Sequence, residues 1–184
     1  SSRFATDPRD VRAAALIAQH ADDLAAVILE PMLGGGGCIP AERAFLSMLR
    51  EETRKRGVVL IFDEVMTSRL HPGGLSASLG IEPDLKTLGK YVGGGMSFGA
   101  FGGKREIMAQ FDPTGPNPLP HAGTFNNNTL TMTAGHAAMS EVFTPEACIE
   151  LNARGDRLRD RLNDLFMRYQ VRMQAKGIGS MMPS

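Results

Sequence analysis

The sequence predicts an α/β protein: a mainly parallel sheet in a three-layer arrangement, followed by a long helix. Three observations carry that prediction. Short continuous apolar runs of strand length, at residues 25–30 and 58–65, alternate with longer segments of helical period. Each run ends in carboxylates, and a third candidate strand stops just before a lysine. No internal repeat points to another architecture, and apolar strands separated by helices are the signature of βαβ units.

Each element has a local reason. Asp7-Pro8 supplies an N-cap and a proline at the first helical position, and VRAAALIAQH extends that helix to about His20. AAVILE (25–30) reads as a strand buried on both faces of a parallel sheet. Glycines 34–37 then break the chain. AERAFLSMLREETRKR (41–56) sets Phe45, Leu46 and Leu49 opposite its charges, and Gly57 closes the helix. VVLIFDEV (58–65) repeats the buried-strand pattern and ends on Asp63 and Glu64. After an HPGG loop, PDLKTL (83–88) forms a short strand, SFGAFGG alternates as a strand does, and residues 104–111 suit a short helix. DPTGPNPLPHAGTFNNN (112–128) is a long Pro/Gly/Asn loop, of a length that is usually functional or disordered. TLTMTAGHAAMSEVF is helical, and Thr144-Pro145-Glu146 starts a long helix reaching Tyr169.

Composition narrows the function classes. The 184 residues are 42% apolar and 22% charged, as in a soluble globular protein of one domain or slightly more. Twenty basic and twenty acidic side chains cancel, which argues against nucleic-acid binding, since that needs clustered surplus cations. The basic stretch from Arg50 to Arg56 is interleaved with Glu51 and Glu52 and reads as a solvated helix face. Cys38 and Cys148 stand far apart with no CxxC pair or histidine cluster, so neither a metal site nor a disulfide framework is expected. A reducing, cytoplasmic setting fits. The apolar runs fall short of the ~20 residues that cross a bilayer, and SSRFATDPRD has no signal-peptide core.

In a parallel sheet, ligands sit beyond the carboxyl ends of the strands. Three such ends carry polar groups: Glu30-Pro31, Asp63-Glu64, and Lys90. Two readings stay open. Strands often end in charges where a sheet meets water, and an Asp–Lys pair there is a surface ion pair worth ~0–1 kcal/mol. Alternatively, a lysine beside glycines suits imine formation with a carbonyl, in which a neutral amine attacks from a partly desolvated pocket. Glycines 93–95 let backbone approach a flat ligand closely. An acid at the far end would suit pyridoxal phosphate, whose ring nitrogen must stay protonated to act as an electron sink.

IFDEVMTSRL (61–70), PDLKTLGKYVGGGMSFGAFGG (83–103) and HAGTFNNNTLTMTAG (121–135), with VILEPM (27–32) before them, resemble the class III, fold-type I pyridoxal-phosphate aminotransferases. The similarity is greatest to their glutamate-1-semialdehyde aminomutase-like branch, and it extends to about residue 180. It implies that Lys90 forms the internal aldimine and later moves the proton between substrate carbon and cofactor. It implies that Asp63 pairs with the pyridine nitrogen and that Val65, in any α/β protein an ordinary core residue, packs on one ring face. Thr124 matches a threonine that reaches the cofactor phosphate of the neighbouring subunit, which implies a homodimer. Glu30 matches a position on the substrate side, and Arg69 is a candidate for carboxylate contact. Glu64 reads as structural, stabilising the strand end through hydrogen bonds, and Met132 and Met139 as packing residues.

DEVMTSRL with HAGTFNNN is more similar to β-phenylalanine aminotransferase-like members than to the aminomutases proper. The resemblance therefore implies transfer of an amino group from a β-amino acid or aromatic amine to a 2-oxo acid such as 2-oxoglutarate or pyruvate. Family members are more than twice this long. Residues 1–143 match the second half of the large domain and 144–184 the start of the small C-terminal domain. The phosphate cup at a helix N-terminus and the aromatic residue on the other ring face are not recognisable here. Two further function classes are kept: a catalytically incomplete dimerisation module, and an aminomutase or racemase using the same cofactor.

Overall fold

The computed structural model describes residues 8–182, so the expected cap at Asp7 lies outside the described residues. Helix α1 (Pro8–Gln19) leads into β1 (Ala26–Leu29). The glycine-rich break is the turn of a small antiparallel hairpin, β2 (Met32–Leu33) and β3 (Ile39–Pro40). Helix α2 (Arg43–Lys55) follows, with Arg54 and Lys55 in its last turn, where cations complement the helix dipole. The chain continues through β4 (Val59–Asp63), α3 (Gly74–Leu79), β5 (Leu85–Gly89) and β6 (Gly99–Gly103). It ends with α4 (Arg105–Met108), α5 (Thr129–Ala137) and the long α6 (Pro145–Arg168). Short 3-10 turns at Thr67–Leu70 and Lys90–Gly93 follow β4 and β5.

Among the described residues the main sheet has the order β1-β4-β5-β6. β1, β4 and β5 run parallel, and β6 closes the sheet antiparallel to β5. The long loop from 112 to 128 contains neither helix nor strand, as its composition predicts. The sequence left helix α3 and the β2–β3 hairpin unassigned: GLSASL is too short to show a period, and the hairpin strands have two residues each.

Phe62, Leu60 and Leu46 are fully buried and pack with Val27, Leu29 and Phe45, so α2 lies on one face of β1 and β4. Helix α1 adds Ile17 against Met48 and Leu49. Each such Leu or Phe stabilises the fold by roughly 1.5–3 kcal/mol. Ile28 corrects the expectation that β1 is buried on both faces: it is 61% exposed. Side chains alternate along a strand, so Val27 and Leu29 meet α2 while Ile28 faces away from it.

At the amino ends of the strands, Asp84 accepts the Leu60 N–H at 2.7 Å and pairs with Lys104 at 2.7 Å and Arg50 at 2.9 Å. At the other side of the molecule, α6 is capped by Thr144, whose hydroxyl accepts the Ala147 N–H at 3.3 Å. Buried Asn152 of α6 donates to the Arg69 carbonyl at 2.9 Å and accepts from the Ser180 N–H at 2.9 Å. Met181 then joins Met32, Cys38 and Leu75 in a second core. Among the described residues no helix is long and apolar enough to cross a membrane.

Candidate active site

Because β1, β4 and β5 are parallel neighbours, the residues at their carboxyl ends share one edge of the sheet. Glu30 directly follows β1, Asp63 is the last residue of β4, and Lys90 directly follows β5. The register pairs Asp63 with Thr87. Asp63 Oδ1 accepts the Val65 N–H at 3.0 Å and the Thr87 hydroxyl at 2.9 Å. Among the described residues Oδ2 of the same carboxylate receives no hydrogen bond.

Lys90 opens the 3-10 turn with φ +54, a left-handed backbone that costs a residue with a Cβ roughly 1–2 kcal/mol. Strain of this kind persists where the surroundings enforce it and clusters at functional sites. Its side chain is exposed. Lys55, Lys86 and Lys104 each meet a carboxylate, at 2.8, 3.6 and 2.7 Å. Among the described residues Lys90 has no such partner, so its amine is available to a ligand.

Val65 lies against Gly89, the residue before Lys90. Glu64 is fully buried and points the other way from Asp63, as strand alternation requires. Its carboxylate accepts the N–H groups of Leu75 at 2.5 Å and Ser76 at 3.2 Å and the Thr67 hydroxyl at 3.3 Å. It thereby holds the first turn of α3 beneath the strand end. Gly74, at φ +81, sits so close that a Cβ there would stand 2.6 Å from Glu64 Oε2.

Glu30 accepts the Gly34 N–H at 3.0 Å and closes the hairpin turn next to Met66. Arg69 offers its carbonyl to Asn152 and to the Cys148 thiol, at 2.9 and 3.3 Å, and so docks α6. Its Nε is buried without a hydrogen-bond partner among the described residues. Thr124 is exposed on the long loop and makes no hydrogen bond among the described residues. The structure therefore gathers Asp63, Val65 and Lys90 around two adjacent strand ends, gives Glu30 and Arg69 local partners, and leaves Thr124 in solvent.

Two residues near the site escaped the sequence reading. Thr87 is visible only once the register of β4 and β5 is known. Tyr91, next to Lys90, packs against Phe143 with ring centroids 4.7 Å apart and planes tilted by 57°, and burial raises its phenol above the ordinary tyrosine range despite the nearby Ser68 hydroxyl and Arg69. Tyr91 also lines a cavity of about 200 Å3 with Ser68, His71, Phe143 and Cys148. A larger, open depression of about 540 Å3 beside Arg50, Arg54 and Glu82 lies at the amino ends of the strands, where Arg50 corrects the expectation of a solvated helix face: it is buried against Asp84.

Fold and site together define an α/β protein with a lysine and a carboxylate at adjacent strand ends, a pair suited to a ring that bears a carbonyl. The chain belongs to the class-III aminotransferase family, whose model matches residues 7–183. It is 57% identical over 170 residues to a β-phenylalanine transaminase of Variovorax paradoxus, covering 92% of this chain and 39% of that protein. It is 46% identical over 161 residues to a glutamate-1-semialdehyde 2,1-aminomutase of Brevibacillus brevis, with 87% and 37% covered. The crystal structure of a β-phenylalanine aminotransferase from V. paradoxus superposes with a TM-score of 0.88 at 55% identity, over 94% of this chain and 40% of that one. An ω-transaminase from Sphaerobacter thermophilus gives 0.85 at 46%, with 91% and 38% covered. The chain thus spans about two fifths of the length of the relatives it matches.

Proposed function

We propose that this chain is the lysine-bearing part of a pyridoxal-phosphate-dependent aminotransferase that moves an amino group from an amino acid or amine, including β-amino acids, to a 2-oxo acid. The observation that carries the proposal is the register of β4 and β5, which sets Asp63 beside the strand that ends at Lys90. The residues fit the cofactor: among the described residues, an amine without a carboxylate partner and a carboxylate oxygen without a donor, with valine methyl groups beside the glycine that precedes the lysine. Similarity to a β-phenylalanine transaminase supports the donor class.

When bound, pyridoxal phosphate supplies an aldehyde for amines to condense with and a protonated ring that takes up the electron pair left on deprotonating the substrate carbon. Lys90 would hold the cofactor through its amine and would carry the proton taken from the substrate carbon. Asp63 would hold the ring nitrogen through Oδ2 and keep it protonated. Val65 packs on one ring face. Glu30 and Arg69 serve the substrate side, Arg69 by its charge toward a carboxylate. Thr124 binds the phosphate of a second copy, so the proposal includes a homodimer. The exposure of Thr124 and of its neighbour Phe125, at 85%, supports a role outside its own subunit.

We also propose a cytoplasmic setting, which the two free, buried thiols Cys38 and Cys148 support. Residues 1–143 are proposed as large-domain sequence and 144–184 as the lead into a small domain. Relatedness to glutamate-1-semialdehyde aminomutases favours one second reading, an intramolecular amine shift, because the same lysine and aspartate serve both. Incubating the full-length protein with β-phenylalanine, 2-oxoglutarate and pyridoxal phosphate separates them. Formation of glutamate that disappears in Lys90→Ala supports transfer; no glutamate contradicts it.

A further inference from the structure

We infer that Thr87 is the positioning residue for Asp63: its hydroxyl and the Val65 N–H together occupy Oδ1, so that Oδ2 alone faces the ring nitrogen of the ligand. The inference rests on the reading of Asp63 given above and adds a residue to it. A carboxylate oxygen has two good acceptor directions, and on Oδ1 the Thr87 hydroxyl at 2.9 Å and the Val65 N–H at 3.0 Å fill both. With Oδ1 held from two sides, the side chain cannot rotate without breaking two hydrogen bonds to a charged acceptor.

The donor is itself fixed. Thr87 lies in β5 between β4 and β6, opposite Asp63 on one side and Phe101 on the other. Its carbonyl accepts the Glu64 N–H at 3.1 Å, which locks the backbone at the residue after Asp63. A β-branched side chain in a strand is restricted at χ1, so the hydroxyl direction follows from the backbone. The strand pairing that brings β5 beside β4 thus also aims the carboxylate. Its hydroxyl is spent on Asp63, so Thr87 acts through that carboxylate.

The test is a titration of the full-length protein with pyridoxal phosphate, read by the visible absorbance that depends on Lys90 and by its change with pH. Variants are Thr87→Val, which keeps the shape and removes the hydroxyl, Thr87→Ser, which keeps the hydroxyl, and each of these combined with Asp63→Ala. Loss of one hydrogen bond to a charged group predicts affinity about tenfold weaker in Thr87→Val, a shifted pH profile of the band, and near wild-type behaviour in Thr87→Ser. In the Asp63→Ala background Thr87→Val should have no further effect, since the two residues act as one unit. Wild-type affinity in Thr87→Val, or an equal loss with and without Asp63, overturns the inference and leaves the proposed function standing. Absence of any Lys90-dependent band in the wild type overturns both. Thermal unfolding of each variant shows that a lost band reflects the site and not the fold.

Discussion

Gly94 lies directly against Ala134: a Cβ on Gly94 would run into the Ala134 carbonyl, and a Cβ on the next residue, Gly135, would stand 2.6 Å from the Val92 carbonyl oxygen. The contact between turn and helix is backbone to backbone. It presses the turn that carries Lys90 onto α5, the helix that follows the loop bearing Thr124, and Gly94 also needs its positive φ of +61. Replacing Gly135 by alanine should therefore push the turn away. We expect a stability loss of ~1–3 kcal/mol from overpacking, read by denaturant unfolding, together with a weaker Lys90-dependent absorbance. Unchanged binding of pyridoxal phosphate in Gly135→Ala would show that the turn does not depend on this contact.

Glu64 is a second prediction, because its carboxylate satisfies two backbone donors of α3 and a hydroxyl in a fully buried position. Truncation to alanine leaves those donors buried and unmet. The expected loss is about 3 kcal/mol or more, measured as a fall in the unfolding midpoint at constant denaturant slope. A loss below ~1 kcal/mol would mean that water replaces the carboxylate.

Acid stability should depend on Asp84. Burial raises its carboxyl, but the hydrogen bond from the Leu60 N–H and the partners Lys104 and Arg50 outweigh that and hold it below the usual aspartate range. A carboxyl depressed in the folded state contributes stability above its unfolded value, and that contribution is lost as pH falls through the folded one. Unfolding free energy should thus decline from the ordinary aspartate range downward. Asp84→Asn should flatten that decline, and an unchanged acid limb in the variant would assign it to other groups.

Asn152 offers a test of how α6 is held. Its amide donates to the Arg69 and Cys148 carbonyls, both at 2.9 Å, and accepts from the Ser180 N–H and hydroxyl at 2.9 and 3.0 Å. Asn152→Leu should destabilise by ~1–3 kcal/mol and raise hydrogen exchange at Ser180. Protection of Ser180 at the wild-type level would contradict the bridge.

Much of this was legible in the sequence, for identifiable reasons. Residues 25–30 and 58–65 announce strands because apolar runs of that length have few alternatives, and Thr144-Pro145-Glu146 announces α6 because cap chemistry is local. The placement of Glu30 and Asp63 at strand ends follows from those runs, and that of Lys90 from the short strand read at 83–88. What remained hidden depends on which strand lies next to which. Thr87 meets Asp63 only through register, and the partners of Glu64 lie in α3, a helix too short to show a period. Ile28 is exposed although its strand reads as fully apolar, because apolarity alone does not say which face a helix covers.

The central claim is that Lys90 is the residue that holds the cofactor aldehyde. The most direct measurement is to load the full-length protein with pyridoxal phosphate, reduce it with borohydride, digest it, and locate the pyridoxyl group by mass spectrometry. The account predicts the label on Lys90, with no stable label in Lys90→Ala. A label on Lys55, Lys86, Lys104 or Lys176 while Lys90 stays unmodified would contradict it.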